Sequence, residues 1–106
     1  MIISTLEQIA GYKITESLGV VAGNTIRARH LGKDIVAGLR TVVGGEIKEY
    51  TGMLAESREQ SLQRMIEKGE ELNADGIIGV RFQTSMIMST TAELLAYGTA
   101  VKLQKL

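Results

Sequence analysis

The segment ELLAYGTAVKL, residues 93–103, combines the alternation of a strand with two apolar faces. Alternate residues of a strand point to opposite sides of the sheet. One side would carry Leu95, Tyr97, Thr99, Val101 and Leu103, and the other Leu94, Ala96, Gly98 and Ala100. Helices of a small domain can cover one side, whereas an apolar second side needs another protein surface. The segment therefore predicts a last strand at or near a contact between subunits.

Tyr97 is the candidate anchor of this contact, because aromatic side chains dominate the energetics of interfaces. A second interpretation places the same ring in the core, under the helices. The alternation of the strand fits both positions, so the sequence leaves the choice open.

A long helix precedes the last two strands. Residues 46–72 place apolar or small side chains at helical spacing, with charges on the opposite side. The predicted buried face consists of Ile47, Tyr50, Leu54, Ser61, Leu62, Met65, Gly69 and Leu72. Glycine costs a helix up to about 1 kcal/mol relative to alanine, so Gly69 on this face indicates close approach to the sheet. Asn73 then tolerates the left-handed conformation that ends a helix.

The remaining segments complete the order β-α-α-β-β. Residues 12–26 predict a long strand, in which Gly19 and Gly23 mark a bulge or bend. Its apolar face is expected to hold Tyr12, Ile14, Leu18, Val20 and Ala22, with Glu16 as the discordant member. Residues 31–43 predict a helix, residues 76–84 a strand, and residues 85–91 a connection. This order favours an α+β two-layer sandwich, with helices on one face of a mainly antiparallel sheet.

Length and composition narrow the class of protein. Residues 1–106 make a single domain, in which 12 basic residues balance 12 acidic ones. Because the net charge is zero, no overall field attracts nucleic acid or an anionic membrane. No apolar run reaches the roughly 18–20 residues of a membrane span, and the first residues lack a signal-peptide pattern. The absence of cysteine excludes disulfides, thiolate nucleophiles and zinc ribbons, and it makes a reducing cytoplasm the expected location.

Gly44-Gly45 lies between two segments that both predict helices. The pair lacks the G-x-G spacing of a dinucleotide site and the G-K-S or G-K-T of a P-loop. Glu46 follows it and would repel an anion. One glycine can end the first helix in a left-handed conformation, and the other can allow the turn into the next helix. We therefore interpret the pair as a hinge between two helices.

Four segments closely resemble the YbjQ-like family of small bacterial proteins. They are GVVAGNTIRARHLGKD (residues 19–34), VVGGEIKEYT (42–51), NADGIIGVRF (73–82) and AYGTAVKL (96–103), and the likeness spans residues 1–103. The resemblance implies a dodecin-like subunit in a ring-shaped pentamer. It also carries a heavy-metal-binding label, although the family has no established function. Arg81 and Gln83 stand where many relatives carry aspartate, which disfavours a carboxylate ligand on that strand.

A metal site has few candidate ligands in this chain. His30 is the only histidine, and Glu46 and Glu49 are expected about one helical turn apart, so these three are the candidates for a divalent metal ion. Met86 and Met88 are two residues apart, so in an extended segment their thioethers would point the same way and could suit Cu(I). Packing and helix-dipole effects explain these residues more simply. A five-fold axis would turn one weak ligand into a ring of five.

Two functions from different classes follow. The first is a homo-oligomeric protein that binds a small ligand or metal ion at its subunit junctions, where residues 19–24 and 84–91 are polar enough to line a site. The second is a structural or interaction scaffold, favoured by the lack of a convergent reactive set. An enzyme is a distant third, because there is no G-x-S-x-G motif. Glu16 and Glu93 would form a carboxylate pair only if the outer strands were neighbours.

Overall fold

The computed structural model of the chain describes residues 1–28, 42–43, 46–88 and 91–106. Its strands are β1 (Ile2–Ile3), β2 (Tyr12–Ala28), β3 (Val42–Val43), β4 (Glu46–Ile47), β5 (Gly76–Met88) and β6 (Thr91–Lys105). The described residues contain one helix, α1 (Lys48–Glu71), which lies between β4 and β5 in the chain. The three long strands predicted from alternation are therefore confirmed, and each runs past its predicted end.

Four strands form one sheet in the order β1-β5-β6-β2. β6 pairs antiparallel with both β2 and β5, whereas β1 pairs parallel with the start of β5. Helix α1 packs against β2 and β6. The predicted α+β class is confirmed; the sheet is mixed, with antiparallel long pairings, as expected of a mainly antiparallel sheet, and a short parallel pairing of β1. Strand β1 escaped prediction because two residues of parallel pairing are too short to show any alternation.

The segments on either side of Gly44-Gly45 are strands. Val42 and Val43 pair antiparallel with Ile47 and Glu46, so the expected helix of residues 31–43 is wrong at its last two positions. The rest of that helix, and Gly44-Gly45 itself, lie outside the described residues. The interpretation of the pair as a hinge between two helices is wrong for both flanks, since β-branched side chains at these positions favour extended backbone.

Residues 85–91 were expected to form a connection between the last two strands, and this prediction is wrong for residues 85–88 and 91; residues 89–90 lie outside the described residues. β5 continues to Met88, and β6 begins at Thr91. Met86 pairs with Ala92, and Met88 pairs with Thr91, with a register irregularity between the two pairs. The cross-strand pairing stabilises this Ser- and Thr-containing stretch, and a local sequence pattern does not reveal such pairing.

The apolar side of β2 is opposite to the predicted one beyond Gly19. A register shift separates Ser17 from Gly19, and Gly19 has a φ of 110°, so the expected bulge is confirmed. Leu18 packs on the core, and the next core residue is Val21, three positions later. Because the bulge shifts the alternation, Val21 is 5% exposed and Val20 is 77% exposed.

The core lies between α1 and the sheet. Its buried cluster consists of Val21, Met65, Ile77, Val80, Ala96 and Ala100. The helix crosses β2 at Gly23, where an added Cβ would overlap the backbones of Ser61 and Met65. At Gly69, an added Cβ would lie 3.0 Å from Cδ1 of Ile77. The close helix–sheet approach predicted from Gly69 is thus confirmed, and Gly23 provides a closer one.

Helix α1 buries a stripe with a period of four residues, Ser57, Ser61, Met65 and Gly69. Leu54 and Leu72 were expected on this face, but they lie at its margins and are exposed. The helix ends where predicted, because Asn73 has a φ of 59° and the amide of Ala74 donates to the carbonyl of Gly69 at 3.0 Å. Among the described residues, no helix is long and apolar enough to cross a membrane.

Candidate functional site

A chain of buried hydroxyl groups joins α1 to the sheet. The hydroxyls of Thr25 and Ser61 are 2.8 Å apart, and that of Ser61 donates to the carbonyl of Leu94 at 2.8 Å. The Thr25 hydroxyl also lies 3.2 Å from the carbonyl oxygen of Ser57. In the described part of the chain, every buried polar side-chain atom has a partner. These hydroxyls therefore fix the position of the helix on the sheet. Their hydrogen bonds are made within the chain and do not require a ligand.

Arg27 extends this network to the surface. Its Nε donates to the Ser57 hydroxyl at 3.0 Å, and its Nη2 donates to Oε1 of Gln60 at 2.9 Å. Glu56 lies 3.4 Å from the same Nη2 and forms a partly exposed ion pair. The guanidinium is therefore held against α1, and its positive charge is largely balanced by groups of the same chain. The sequence signal for the network was the spacing of Ser57 and Ser61, one helical turn apart on the buried side.

A small cleft opens beside the network, between the N-terminal half of α1 and the ends of β2, β5 and β6. Its volume is about 20 Å³. It is lined by Thr25, Arg27, Met53, Leu54, Ser57, Thr84, Ala92, Glu93 and Leu94. The walls are mainly apolar and the polar groups lie at the rim, but the space holds about one water molecule and is too small for an organic ligand. Thr84 and its neighbours were expected to line a site, and the structure brings Thr84 to this cleft.

The structure describes the backbone positions of two of the three predicted metal ligands, Glu46 and Glu49. His30 lies outside the described residues. Glu46 belongs to β4, and Glu49 lies in the first turn of α1, so they do not share the helix on which they were expected one turn apart. In residues 1–28, 42–43, 46–88 and 91–106, no three histidine or carboxylate side chains form a group that could hold a metal ion. The assignment of His30, Glu46 and Glu49 as metal ligands therefore stays a prediction.

The thioethers of Met86 and Met88 are both exposed, at 74% and 59%. The prediction that they point the same way assumed a regular strand. A register irregularity lies between them, so the simple two-residue alternation does not apply to the pair. A Cu(I) site at Met86 and Met88 therefore stays a prediction without the support of regular alternation.

Glu16 and Glu93 are not brought together. Glu16 pairs with Lys102 near one end of β2, and Glu93 pairs with Ile26 near the other. Ten positions of extended chain separate Glu16 from Ile26, which corresponds to roughly 33 Å. Oε2 of Glu93 instead accepts a hydrogen bond from Nδ2 of Asn24 at 3.0 Å. The carboxylate-pair prediction is therefore wrong.

The side of the sheet opposite α1, here called the outer face, is mixed in polarity. Cross-strand register places on it Val20, Ala22, Asn24 and Ile26 of β2, Leu95, Tyr97 and Thr99 of β6, and Ile78, Arg81 and Gln83 of β5. Tyr97 is half-buried there, while its neighbours Ala96 and Ala100 are buried under the helix. The interpretation that placed Tyr97 in the core under the helices is therefore wrong. Among the described elements, none lies across this face.

Comparison with known proteins matches nearly the whole chain to the family that its sequence resembles. A family model described as "Putative heavy-metal-binding" matches residues 1–104. The chain is 58% identical to a UPF0145 protein of Thermotoga petrophila over 106 residues, which is all of both chains. It is 57% identical to a UPF0145 protein of Methanosarcina acetivorans over 103 residues, covering 97% of each.

A solved structure shares the fold. A protein of unknown function from Pediococcus pentosaceus superposes with a TM-score of 0.71, covers 98% of both chains and is 22% identical. At that identity the likeness concerns the fold alone, whereas the full-length relatives above 50% identity define the family. The chain belongs to the YbjQ-like family of UPF0145 proteins.

Proposed function

We propose that this chain forms a ring-shaped homo-oligomer, a pentamer, which binds a small ligand or a metal ion at its subunit junctions. The observation that supports the proposal is the outer face, which presents Val20 at 77% and Ile26 at 57% exposure beside the half-buried ring of Tyr97. Large apolar side chains exposed together on one sheet face are typical of a protein–protein contact. The number five and the dodecin-like arrangement are those implied by the family resemblance.

Association through this face is energetically reasonable. Burial of apolar surface contributes about 25 cal/mol per Å² before the costs of association. Full burial of a side chain such as Val20 or Ile26 therefore contributes about 1.5–3 kcal/mol. A few such contacts per junction, repeated around a ring, are enough for a stable assembly. Because the net charge of the chain is zero, no overall repulsion opposes the contact.

A small organic ligand would need space formed at the subunit junctions, because the cleft beside Arg27 holds about one water molecule in the single subunit. The walls of that cleft are apolar, and Thr84, Arg27 and Glu93 supply polar groups at its rim. A metal ion would need ligands from several copies, since each chain has one histidine and no cysteine. The proposal includes neither nucleic acid nor membrane as a partner, and it places the ring in the cytoplasm, where a chain without cysteine is at no disadvantage.

A scaffold without a small-molecule ligand is the second candidate. Two observations on the described residues favour it. They contain no group of metal-ligating side chains, and their buried hydroxyls are all satisfied within the chain. A ring whose subunits hold no ligand would serve by its assembled surface alone.

Native mass spectrometry of untagged protein, taken from cells without refolding, tests both candidates. A pentamer that carries a constant additional mass supports the binding function, and the mass identifies the class of ligand. A pentamer at its bare polypeptide mass supports the scaffold. A monomer at micromolar concentration contradicts the assembly and both functions that depend on it.

A further inference from the structure

Both edges of the sheet are open in the described part of the chain. β2 is the outermost strand on one side, and it pairs along its length with β6 alone. On the other side, residues 2–6 bond to the backbone of β5 from Gly76 to Val80, so β5 is an edge beyond Val80. An open edge presents a row of backbone amide and carbonyl groups that can pair with a further strand.

Both edges lack charge and proline, two usual protections of a free edge. Residues 20–26 of β2 and residues 82–88 of β5 are each seven residues long, without charge and without proline. The register is regular over residues 20–26 of β2, whereas β5 has one irregularity, between Met86 and Met88. A free edge without charge or proline pairs readily with other strands. Two such edges in one chain indicate that both are covered in the assembled protein.

We propose that β2 of one copy pairs with β5 of the next copy, head to tail, so that the sheet continues across each subunit junction. This inference rests on the proposed homo-oligomer and adds a contact between strand edges to the contact proposed for the outer face. β2 and β5 are both antiparallel to β6, so they run in the same direction, and their pairing around a ring is parallel. Each copy has one edge of each kind, so a single type of contact covers both edges. Such heterologous contacts close into rings.

The surface beside β2 fits the helix-side face of an incoming β5. An open groove of about 340 Å³ lies between β2 and the C-terminal half of α1. Val20, Val21, Ala22, Lys68, Glu71 and Leu72 line it. Phe82 pairs with the buried Ala96, so it lies on the helix side of β5, yet it is 45% exposed in the single chain. If the sheet continues across the junction, the aromatic ring of Phe82 would lie on the same side of the sheet as the groove beside β2 of the neighbouring copy.

A pairing with a second copy of β2 is less consistent with the structure. An antiparallel β2–β2 contact would form a two-fold dimer and would leave both β5 edges open. It would also leave the Phe82 ring partly exposed, in contact only with α1 of its own subunit. The head-to-tail contact covers the two edges and the exposed aromatic side chain together, as interface anchors usually are.

Cysteine pairs test the contact directly, because the chain has no cysteine of its own. Val20→Cys or Ala22→Cys on β2 is combined with Gln83→Cys or Ser85→Cys on β5, all on the outer face. Neighbouring strands lie about 4.8 Å apart, which is within the Cα separation of disulfides. Mild oxidation of a mixture of one β2 variant and one β5 variant should give the mixed dimer on a non-reducing gel. A double variant should give a ladder that ends at the ring size.

A second pair of variants measures affinity. Val20→Lys adds a charge to the open edge and is expected to weaken association at least about tenfold in a dilution series. Gln63→Lys adds the same charge on the exposed side of α1 and should leave association unchanged. Cross-linking of a β2 variant with itself alone, or an unchanged affinity for Val20→Lys, would overturn the inference. An oligomer in native mass spectra without any β2–β5 cross-link would also overturn it, while the proposed oligomer stands. A monomer would remove both.

Discussion

Replacement of Gly23 with alanine should push α1 away from the sheet and destabilise the fold. The helix backbone passes so close to β2 at this position that a Cβ would overlap the backbone of Ser61 and of Met65. The same Cβ would lie 2.7 Å from Cβ of Arg64, whereas ordinary contacts begin near 3.4 Å. The helix must therefore move by roughly 0.7 Å or more, because backbone atoms cannot rotate away as a side chain can.

The cost has two parts. Overpacking of a tight contact costs about 1–3 kcal/mol, and the rigid backbone partners place this site at the upper end. The displacement also stretches the hydrogen bonds of Ser61 to Thr25 and to the carbonyl of Leu94, each worth about 1 kcal/mol. We expect a loss of about 3–5 kcal/mol in the free energy of unfolding. At about 4 °C per kcal/mol, the melting temperature should fall by about 12–20 °C.

Differential scanning calorimetry at one fixed protein concentration measures this change, since an assembly makes the melting temperature depend on concentration. Gly52→Ala is the matched control. Gly52 is an exposed residue of α1 where an added Cβ meets nothing within 4 Å. Alanine there should stabilise the helix by about 0.5–1 kcal/mol. A Gly23→Ala protein that melts within about 3 °C of the natural chain would refute the close packing of α1 on β2.

Further predictions concern the helix end, the core, the interface and metal. Asn73→Val should cost about 1–2 kcal/mol in a denaturant titration, because its φ of 59° is unfavourable for a β-branched residue, whereas Asn73→Gly should change stability by less than about 0.5 kcal/mol. Ser61→Ala should cost about 1–3 kcal/mol, since it leaves the buried Leu94 carbonyl without this donor. Tyr97→Asp should give folded, smaller species in sedimentation, and an unfolded product would contradict its place on the outer face. Calorimetry should detect no sub-micromolar binding of Zn²⁺, Cu²⁺ or Cd²⁺, and a stoichiometric isotherm lost in His30→Ala would show the opposite.

The elements that sequence predicted well are those with local causes. The alternation of β6 is as expected from Leu94 to Ala100, with one face under α1 and one on the outer face, but Val101, expected on the face of Tyr97, is buried directly after the buried Ala100. The left-handed Asn73 follows from the chemistry of one side chain at the end of one helix. The small Gly69 on an otherwise apolar stripe signalled a close contact, because no local reason favours glycine inside a helix.

The elements that sequence missed depend on events elsewhere in the chain. Gly19 marked a bulge, but the number of residues that the bulge adds determines which side of β2 faces the core. That number follows from pairing with β6, and the predicted assignment of Val20 and Val21 was therefore reversed. The short β1 likewise exists only because Ile2 and Ile3 meet the start of β5.

The candidate site was the least predictable part for the same reason. Thr25, Ser57 and Ser61 are ordinary polar residues in the sequence, and only the crossing of α1 over β2 makes them a buried network. Arg27 belongs to a basic stretch, yet in the fold it is held by Ser57 and Gln60. Charge counting along the chain cannot distinguish a free cation from one already satisfied by a helix.

Membership of the family does not by itself supply a metal site in this chain. Arg81 stands where the resemblance leads one to expect aspartate, and its Nη1 donates to the carbonyls of Thr5 and Val80 at 2.8 and 2.9 Å. This cation thus ties the start of the chain to β5 by hydrogen bonds. With one imidazole per chain and no thiolate, tight heavy-metal binding would require symmetry to bring several copies of His30 together. The metal question therefore depends on how the copies meet, which the cysteine pairs on β2 and β5 measure before any metal is added.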